Sequence, residues 1–202
     1  MYQGNINNSS PLLKRIVGFL PALFILAGIT IVGIYGWSYL RQTLFLNYID
    51  TPVYQPTSFS KDQLWKPTPQ AGSKIGDLIF PSLDLNVRVV QGTEKDELTQ
   101  GVGHYKDSAL PGQNGNVYLA GHRDTVFVKL KDLKKGEQIH FATPYGTYVY
   151  EVTGFKIVSP TDTWVLKPTN YETLTLQTCY PFTYIGSAPD RYVVFTKFVS
   201  QK

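Results

Sequence analysis

The first feature of the chain is a long apolar stretch near its amino end. From Ile16 to Leu40 there are 25 consecutive residues without a charged side chain. As an α-helix this stretch would be roughly 37 Å long at 1.5 Å per residue, which exceeds a bilayer hydrocarbon core of about 30 Å. A cleaved signal peptide has a shorter apolar region, and soluble helices rarely run so far without a charge. The pattern therefore predicts a transmembrane helix over residues 16–40.

Charges on either side of the stretch predict its orientation. Lys14 and Arg15 precede it, whereas only Arg41 follows closely. Basic residues favour the cytoplasmic side of a membrane. We therefore expect a single-pass protein of the cell membrane, with residues 1–15 in the cytoplasm and the rest of the chain outside.

Beyond the apolar stretch, residues 41–72 have a different composition. Pro52, Pro56, Pro67 and Pro69 lie there among polar residues. Proline at this density favours extended or irregular backbone over a packed unit. Residues 41–72 are therefore predicted to form an extracellular stalk.

Residues 73–202 show short runs of β-branched and aromatic residues separated by Gly, Pro and Asn, a pattern typical of an all-β barrel or sandwich. A short helix is predicted over residues 94–100 with Thr93 as its N-cap, and Pro144-Tyr145-Gly146 is predicted to form a hairpin turn. Seven runs are predicted as strands: Ile75–Phe80, Asn86–Gln91, Asn116–Ala120, Gln138–Ala142, Tyr148–Ile157, Thr173–Thr178 and Tyr192–Val199.

The basic balance of the chain does not indicate nucleic acid as a partner. The formal net charge is +4, with 19 basic and 15 acidic residues. Three basic residues lie at or before Arg41 and every acidic residue lies at or beyond Asp50, so the outer part has 16 basic against 15 acidic residues. A near-neutral domain lacks the charge that binding to phosphates requires.

The chain contains a single cysteine, Cys179. One cysteine excludes an internal disulfide framework and any multi-cysteine metal site. Side chains alternate along a strand, so Leu174, Leu176 and Thr178 share one face while Gln177 and Cys179 take the other. Cys179 is thus not forced into the core with the two leucines.

Two further residues could complete a catalytic site with Cys179. Arg191 follows an 11-residue loop that contains Gly and Pro, so antiparallel pairing of the two flanking strands would bring it next to Cys179. His122 ends an earlier predicted strand. Peptide-bond exchange through a thioester needs a thiolate nucleophile, a proton donor for the leaving amine and a donor to the oxyanion. Cys, His and Arg suit these three tasks, although their spacing alone does not establish them.

The segments around these residues resemble the sortase family. Leu176-Gln177-Thr178-Cys179 is similar to the family's L-x-T-C strand, Gly121-His122-Arg123-Asp124-Thr125 to its histidine segment, and Arg191 to its catalytic arginine. The similarity runs from about residue 73 to residue 199. It implies an eight-stranded sortase β-barrel with one or two short helices, in which Cys179, His122 and Arg191 are the catalytic residues.

The resemblance also implies a substrate. Sortases cleave a surface protein at a sorting signal of the Leu-Pro-x-Thr-Gly type after threonine, and pass the acyl group to an amine of cell-wall peptidoglycan or of another protein. Cys179-Tyr180-Pro181-Phe182 and Ala188-Pro189-Asp190-Arg191-Tyr192 are most similar to class D, some members of which prefer alanine at the last motif position. Glycine and alanine therefore both stay open.

Several other residues have two possible roles. Thr178 and Leu176, beside Cys179, are assigned to substrate binding, and His104 is a further candidate for that role, although a structural role is favoured for it. Asp124 could orient His122 but is favoured as a turn cap. Three acidic residues, Glu94, Asp96 and Glu97, are attributed to the helix macrodipole, and neither a metal nor a cofactor is predicted.

A second hypothesis is a membrane-anchored β-domain that binds peptides or wall material without chemistry. Cys179 would then be a buried, inert thiol. A thiol reagent separates the hypotheses, because it should modify a catalytic Cys179 readily and a sorting peptide should protect that residue.

Overall fold

The computed structural model describes residues 11–47, 64–183 and 186–202, with side chains of the first range described for residues 21–37, 39 and 40. The chain divides into two compact units, Met1–Thr43 and Leu44–Lys202. Half of the predicted stalk, residues 48–63, lies outside the described residues.

Helix α1 (Pro11–Asn47) accounts for most of the first unit and extends four residues beyond its end. Among the residues that the structure describes, no helix has both the length and the hydropathy that a membrane crossing requires. The transmembrane helix over residues 16–40 stays a prediction.

The second unit is a closed eight-stranded barrel, which confirms the predicted all-β class and strand number. The strands follow the order β1-β2-β3-β4-β7-β8-β6-β5 around the barrel. Most neighbours are antiparallel, but β2 pairs parallel with β3, and β4 pairs parallel with β7. The strands are β1 (Lys74–Phe80), β2 (Leu85–Gln91), β3 (Val102–His104), β4 (Asn116–Ala120), β5 (Gln138–Thr143), β6 (Gly146–Val158), β7 (Thr173–Tyr180) and β8 (Asp190–Gln201).

Seven of these strands match the predicted runs, whereas β3 was not predicted. The hairpin turn is confirmed, because Thr143 of β5 pairs with Gly146 of β6 across the two residues between them. The predicted short helix exists as α2 (Lys95–Leu98), but its N-cap is Glu94 and not Thr93. The helix therefore begins one residue later than the position of the threonine suggests.

Alternation along β4, β7 and β8 produces two apolar clusters on opposite faces. Leu174 and Leu176 are fully buried in the main cluster, which fills the barrel. Burying a side chain of this size contributes about 1.5–3 kcal/mol, so the leucines decide which face of β7 turns inward. Tyr118 and Val193 belong to a second, smaller cluster, which lies outside the barrel because adjacent side chains of a strand point to opposite faces.

At one end of the barrel, which we call the entry end, Leu64 lies close to the end of β8. Leu64, Gly112, Glu172 and Gln201 line a common cavity there of about 760 Å³. Since β4 and β7 both begin at this end, their carboxyl ends lie at the other one.

Glu172 connects three elements at the entry end. Its carboxylate accepts hydrogen bonds from the backbone N–H groups of Gly112 (3.0 Å) and Asn114 (2.9 Å) and from the hydroxyl of buried Tyr150 (2.7 Å). Hydrogen bonds to a charged group contribute about 1.5–3 kcal/mol, and an unpaired buried donor carries its own desolvation cost.

We expect Glu172→Ala to lower the free energy of unfolding by about 2–3 kcal/mol, measured by urea denaturation. Glu151→Ala is the matched control, because Glu151 forms an ion pair of 2.9 Å with exposed Lys197 and such pairs contribute about 0–1 kcal/mol. Equal losses in the two variants would contradict the role given to Glu172.

Candidate active site

The centre of the site is a pair of residues on neighbouring strands. Cys179 near the end of β7 and Arg191 near the start of β8 are direct partners in the antiparallel register. Direct partners in such a pair present their side chains on the same face, with Cβ atoms about 4.5–5.5 Å apart. Cys179 is a free, partly exposed thiol. The expected pairing of Cys179 with Arg191 is thereby confirmed.

His122 reaches the same cleft because β4 runs parallel to β7. The segment that carries it is attached to β7 at Gly121, whose N–H donates to the Gln177 carbonyl (3.0 Å) and whose carbonyl accepts from Thr178 Oγ1 (2.7 Å). A Cβ atom at Gly121 would lie only 2.7 Å from the Phe127 ring. Only glycine therefore fits beside His122 without a shift of the apolar core.

A cleft of about 370 Å³ joins the three residues on the outer face of the barrel, where Cys179, His122 and Arg191 all line it. Its floor comprises the outward residues of β4 and β7. One wall is the 3₁₀ segment Thr163–Leu166 between β6 and β7, and Thr93 and Leu98 lie on another side. The remaining lining residues are Tyr105, Tyr118, Ala120, Gly121, Pro160, Asp162, Gln177 and Thr178. A mixed apolar and polar cleft of this kind suits an extended peptide.

The guanidinium of Arg191 is held by its own loop. Nη1 donates to the carbonyls of Ala188 (3.2 Å) and Asp190 (2.9 Å). Within the described residues, Arg191 forms no ion pair with the Asp190 carboxylate, and its Nε and Nη2 atoms remain for a bound ligand. Arg123 also contacts this loop, because its Nη2 donates a hydrogen bond to the Gly186 carbonyl (2.9 Å).

Tyr118 is a cleft residue that sequence reasoning missed. Its ring is 3% exposed, and its hydroxyl donates a hydrogen bond to Gln177 Oε1. Burial raises the pKa of the Tyr118 phenol, and the positive charge of nearby Arg191 opposes that rise. Alternation along β4 was the available signal, because it puts Tyr118 on the same outward face as Ala120.

The three predicted substrate-binding residues have different positions. Thr178 lines the cleft. Leu176 is fully buried in the barrel core, because it shares the inward face of β7 with Leu174, so it does not contact the cleft. His104 is also fully buried, with Nδ1 2.9 Å from Gln91 Oε1 and Nε2 2.9 Å from the Ala109 carbonyl. The structure therefore places neither Leu176 nor His104 at the cleft, and the buried contacts of His104 are those of the structural role favoured for it.

Asp124 is not among the residues that line the cleft. Asp124 is exposed, and no hydrogen bond joins it to His122 among the described residues. Within that same part of the chain, no three His, Cys, Asp or Glu residues are grouped so that they could hold a metal ion.

An aromatic stack fastens one wall of the cleft. Trp164, in the 3₁₀ segment, stacks on Phe195 of β8 with ring centroids 5.8 Å apart and planes at 17°. Lys156 Nζ of β6 lies 4.9 Å from the centroid of the same indole. Aromatic and cation–π contacts of this kind each contribute about 0.5–1.5 kcal/mol. They hold the segment whose Val165 and Leu166 side chains face the cleft.

We expect Trp164→Ala to raise the KM for a peptide substrate about three- to tenfold while kcat changes less, because loss of one or two such contacts releases the wall. Steady-state kinetics would measure this split. Tyr171→Ala is the matched control, because Tyr171 lies in the same connection between β6 and β7 as Trp164 but is 61% exposed. An unchanged KM in Trp164→Ala would show that the stack does not position the wall.

Comparison with known proteins gives a consistent result. Residues 78–199 match the sortase domain model. Sortase D of Bacillus subtilis is 38% identical over 201 residues, which cover 93% of this chain and 100% of the relative. The Sortase D5 transpeptidase of Clostridium perfringens is 26% identical with a TM-score of 0.64, covering 79% of this chain and 99% of that one. Sortase E1 of Streptomyces coelicolor, solved with a tripeptide in its active site, is 28% identical with a TM-score of 0.59, covering 66% and 93% of the two chains.

Proposed function

Since the chain belongs to the sortase family of cysteine transpeptidases and is most similar to class D, we propose that it cleaves Leu-Pro-x-Thr-Gly or Leu-Pro-x-Thr-Ala sorting signals after threonine. The acyl group passes through a thioester on Cys179 to an amine of the cell wall or of another protein. The substrates are surface proteins that bear the signal.

One observation carries the proposal. Cys179 and Arg191 are cross-strand partners, and His122 lines the same outward cleft. A partly exposed thiol in this position is suited to attack a bound peptide. The alternative of a peptide-binding domain with an inert thiol requires Cys179 to be buried, which it is not.

Each of the three residues has a distinct task in the acylation step. The Cys179 thiolate attacks the threonine carbonyl, and the carbonyl electron pair moves to oxygen beside the Arg191 guanidinium. Protonated His122 then gives its proton to the departing nitrogen as the C–N bond breaks. The products are a Cys179 thioester and a free amine.

The second half-reaction reverses these roles. Neutral His122 takes a proton from the incoming amine, whose nitrogen attacks the thioester carbonyl. The C–S bond breaks, the Cys179 thiolate is restored, and the product with its new peptide bond leaves the cleft. The tripeptide held in the active site of the S. coelicolor relative supports a peptide ligand for this cleft.

Covalent trapping tests the proposed reaction. The detergent-solubilised full chain is mixed with a Leu-Pro-x-Thr-Gly or Leu-Pro-x-Thr-Ala peptide and quenched in acid, and intact mass and peptide mapping locate the adduct. We expect an acyl group on Cys179 that hydroxylamine removes. A thiol that reacts with a general reagent but is never acylated by either peptide would refute the proposal.

We also propose that residues 16–40 anchor the protein in the cell membrane, with residues 1–15 in the cytoplasm and the barrel outside. The support is the uncharged stretch with Lys14 and Arg15 before it. Protease added to intact cells should digest the barrel and leave a tag before Lys14 intact. Release of the full chain by alkaline extraction, or a mature chain that begins near residue 40, would refute the anchor.

A further inference from the structure

Across β4, β7 and β8, the row of residues next to Cys179 and Arg191 contains one polar side chain, whereas Lys156, which continues the row on β6, does not line the cleft. Gln177 precedes Cys179 by two residues and therefore shares its outward face. Its partners are Ala120 on β4 and Val193 on β8. Alanine is too short to cover the amide, and Val193 is fully buried. Within this row, the Gln177 amide is thus the one group that can hydrogen-bond with a ligand in the cleft.

The orientation of this amide is fixed by Tyr118. The phenol donates to Gln177 Oε1, so the NH₂ group is directed away from Tyr118. Tyr118 cannot move easily, because it is buried in the outer cluster and packs edge-on against Tyr105 with ring centroids 6.2 Å apart. Among the described residues, no acceptor occupies the Gln177 NH₂ group, which has two N–H donors.

We propose that Gln177 is a substrate-binding residue whose NH₂ group donates to the proline carbonyl of the sorting peptide, and that Tyr118 is the positioning residue for that donor. The inference rests on the proposed function. In an extended peptide, carbonyls two residues apart point to the same side and are about 7 Å apart. When the threonine carbonyl lies at Cys179 in a peptide that follows β7, the proline carbonyl lies over Gln177.

Three variants of the full chain test the two roles. Gln177→Met removes the donor, and kcat/KM for a Leu-Pro-x-Thr-Gly peptide should fall about five- to tenfold, as expected for one hydrogen bond. Tyr118→Phe leaves the amide free to rotate and should cost about threefold, with no further loss in the Gln177→Met background. Gln138→Met makes the same chemical change at an exposed position of β5 and should be neutral.

A modified substrate separates binding from a structural effect. In this peptide an alkene replaces the Pro–x amide, so the proline carbonyl is absent. The kcat/KM of wild-type enzyme should be about five- to tenfold lower on the alkene peptide than on the normal peptide. The Gln177→Met variant should have the same kcat/KM on both peptides. The inference would be overturned if the substitution and the alkene together lowered kcat/KM by the product of their separate effects. It would also be overturned if the Gln177→Met variant had the kcat/KM of wild type on the normal peptide.

The proposed function is examined first, in the same preparation. If wild-type enzyme never forms the Cys179 acyl adduct with the normal peptide, the proposed function and this inference both fail. If the adduct forms and the losses multiply, only the role of Gln177 fails. Measuring the alkene peptide on wild type keeps the test valid even if a variant does not fold.

Discussion

Cys179→Ala is expected to abolish both cleavage and transpeptidation of a sorting peptide. Removing the nucleophile of an enzyme that works through a covalent intermediate lowers kcat by a factor on the order of 10⁶. The thiol lies on the cleft face of β7, outside the apolar core. Loss of one sulfur atom there should leave the thermal midpoint of unfolding nearly unchanged. A fluorogenic peptide and differential scanning calorimetry measure the two quantities.

Binding provides the control for this variant. Cys179→Ala keeps Gln177, Tyr118 and the cleft walls, so it should still bind the peptide with an affinity similar to the KM of wild type. Turnover near the wild-type rate would show that Cys179 is not the nucleophile. Loss of peptide binding together with activity would indicate a damaged cleft instead.

Arg191→Lys is expected to be nearly as inactive as Arg191→Ala, although lysine keeps the positive charge. Nη1 of Arg191 is used by the Ala188 and Asp190 carbonyls, so the loop fixes the guanidinium plane and directs the other N–H groups at the substrate. Lysine has one mobile ammonium group and cannot both bond to the loop and reach the oxyanion in the same geometry. Losing an oxyanion donor lowers kcat by about 10² to 10³, and we expect a loss of that size in both variants.

The same fluorogenic peptide decides between geometry and charge at position 191. Arg88→Lys, on β2 and outside the cleft lining, controls for the general effect of the exchange. If Arg191→Lys retains more than about a third of the wild-type rate, a positive charge at position 191 is sufficient for turnover and the geometry of the guanidinium is not required. Thermal midpoints of all three variants should stay close to that of wild type.

Alternation along the chain was sufficient to predict most of the strands, whereas the closed barrel was implied by the family resemblance. Seven strands are long enough to show a period of two with β-branched and aromatic residues, and their predicted ends differ from the observed ones by at most two residues. Strand β3 has only three residues, Val102 to His104, with glycine at its centre. Its partners on β2 and β4 are 13 to 17 residues away, so local propensity could not reveal it.

The site was predictable where strand pairing decides the geometry. Cys179 and Arg191 flank one loop, and antiparallel pairing of the strands that it joins brings them together. Leu176 was assigned to the cleft because of its place in the motif, although the alternation already put it on the core face. The contact between Tyr118 and Gln177 depends on the parallel pairing of β4 with β7 across 59 residues, which a single sequence does not reveal.

The position of the entry end has a practical consequence. Leu64, which precedes β1, and Gln201, the last residue of β8, both line the cavity at that end. The cleft lies towards the carboxyl ends of β4 and β7, at the opposite end of the barrel. Because a strand rises about 3.3 Å per residue, the length of these strands separates the cleft from Leu64 and Gln201. Coupling the enzyme to a resin through a tag on either side of the barrel should therefore leave the cleft open, and an immobilised preparation should ligate large proteins as readily as short peptides.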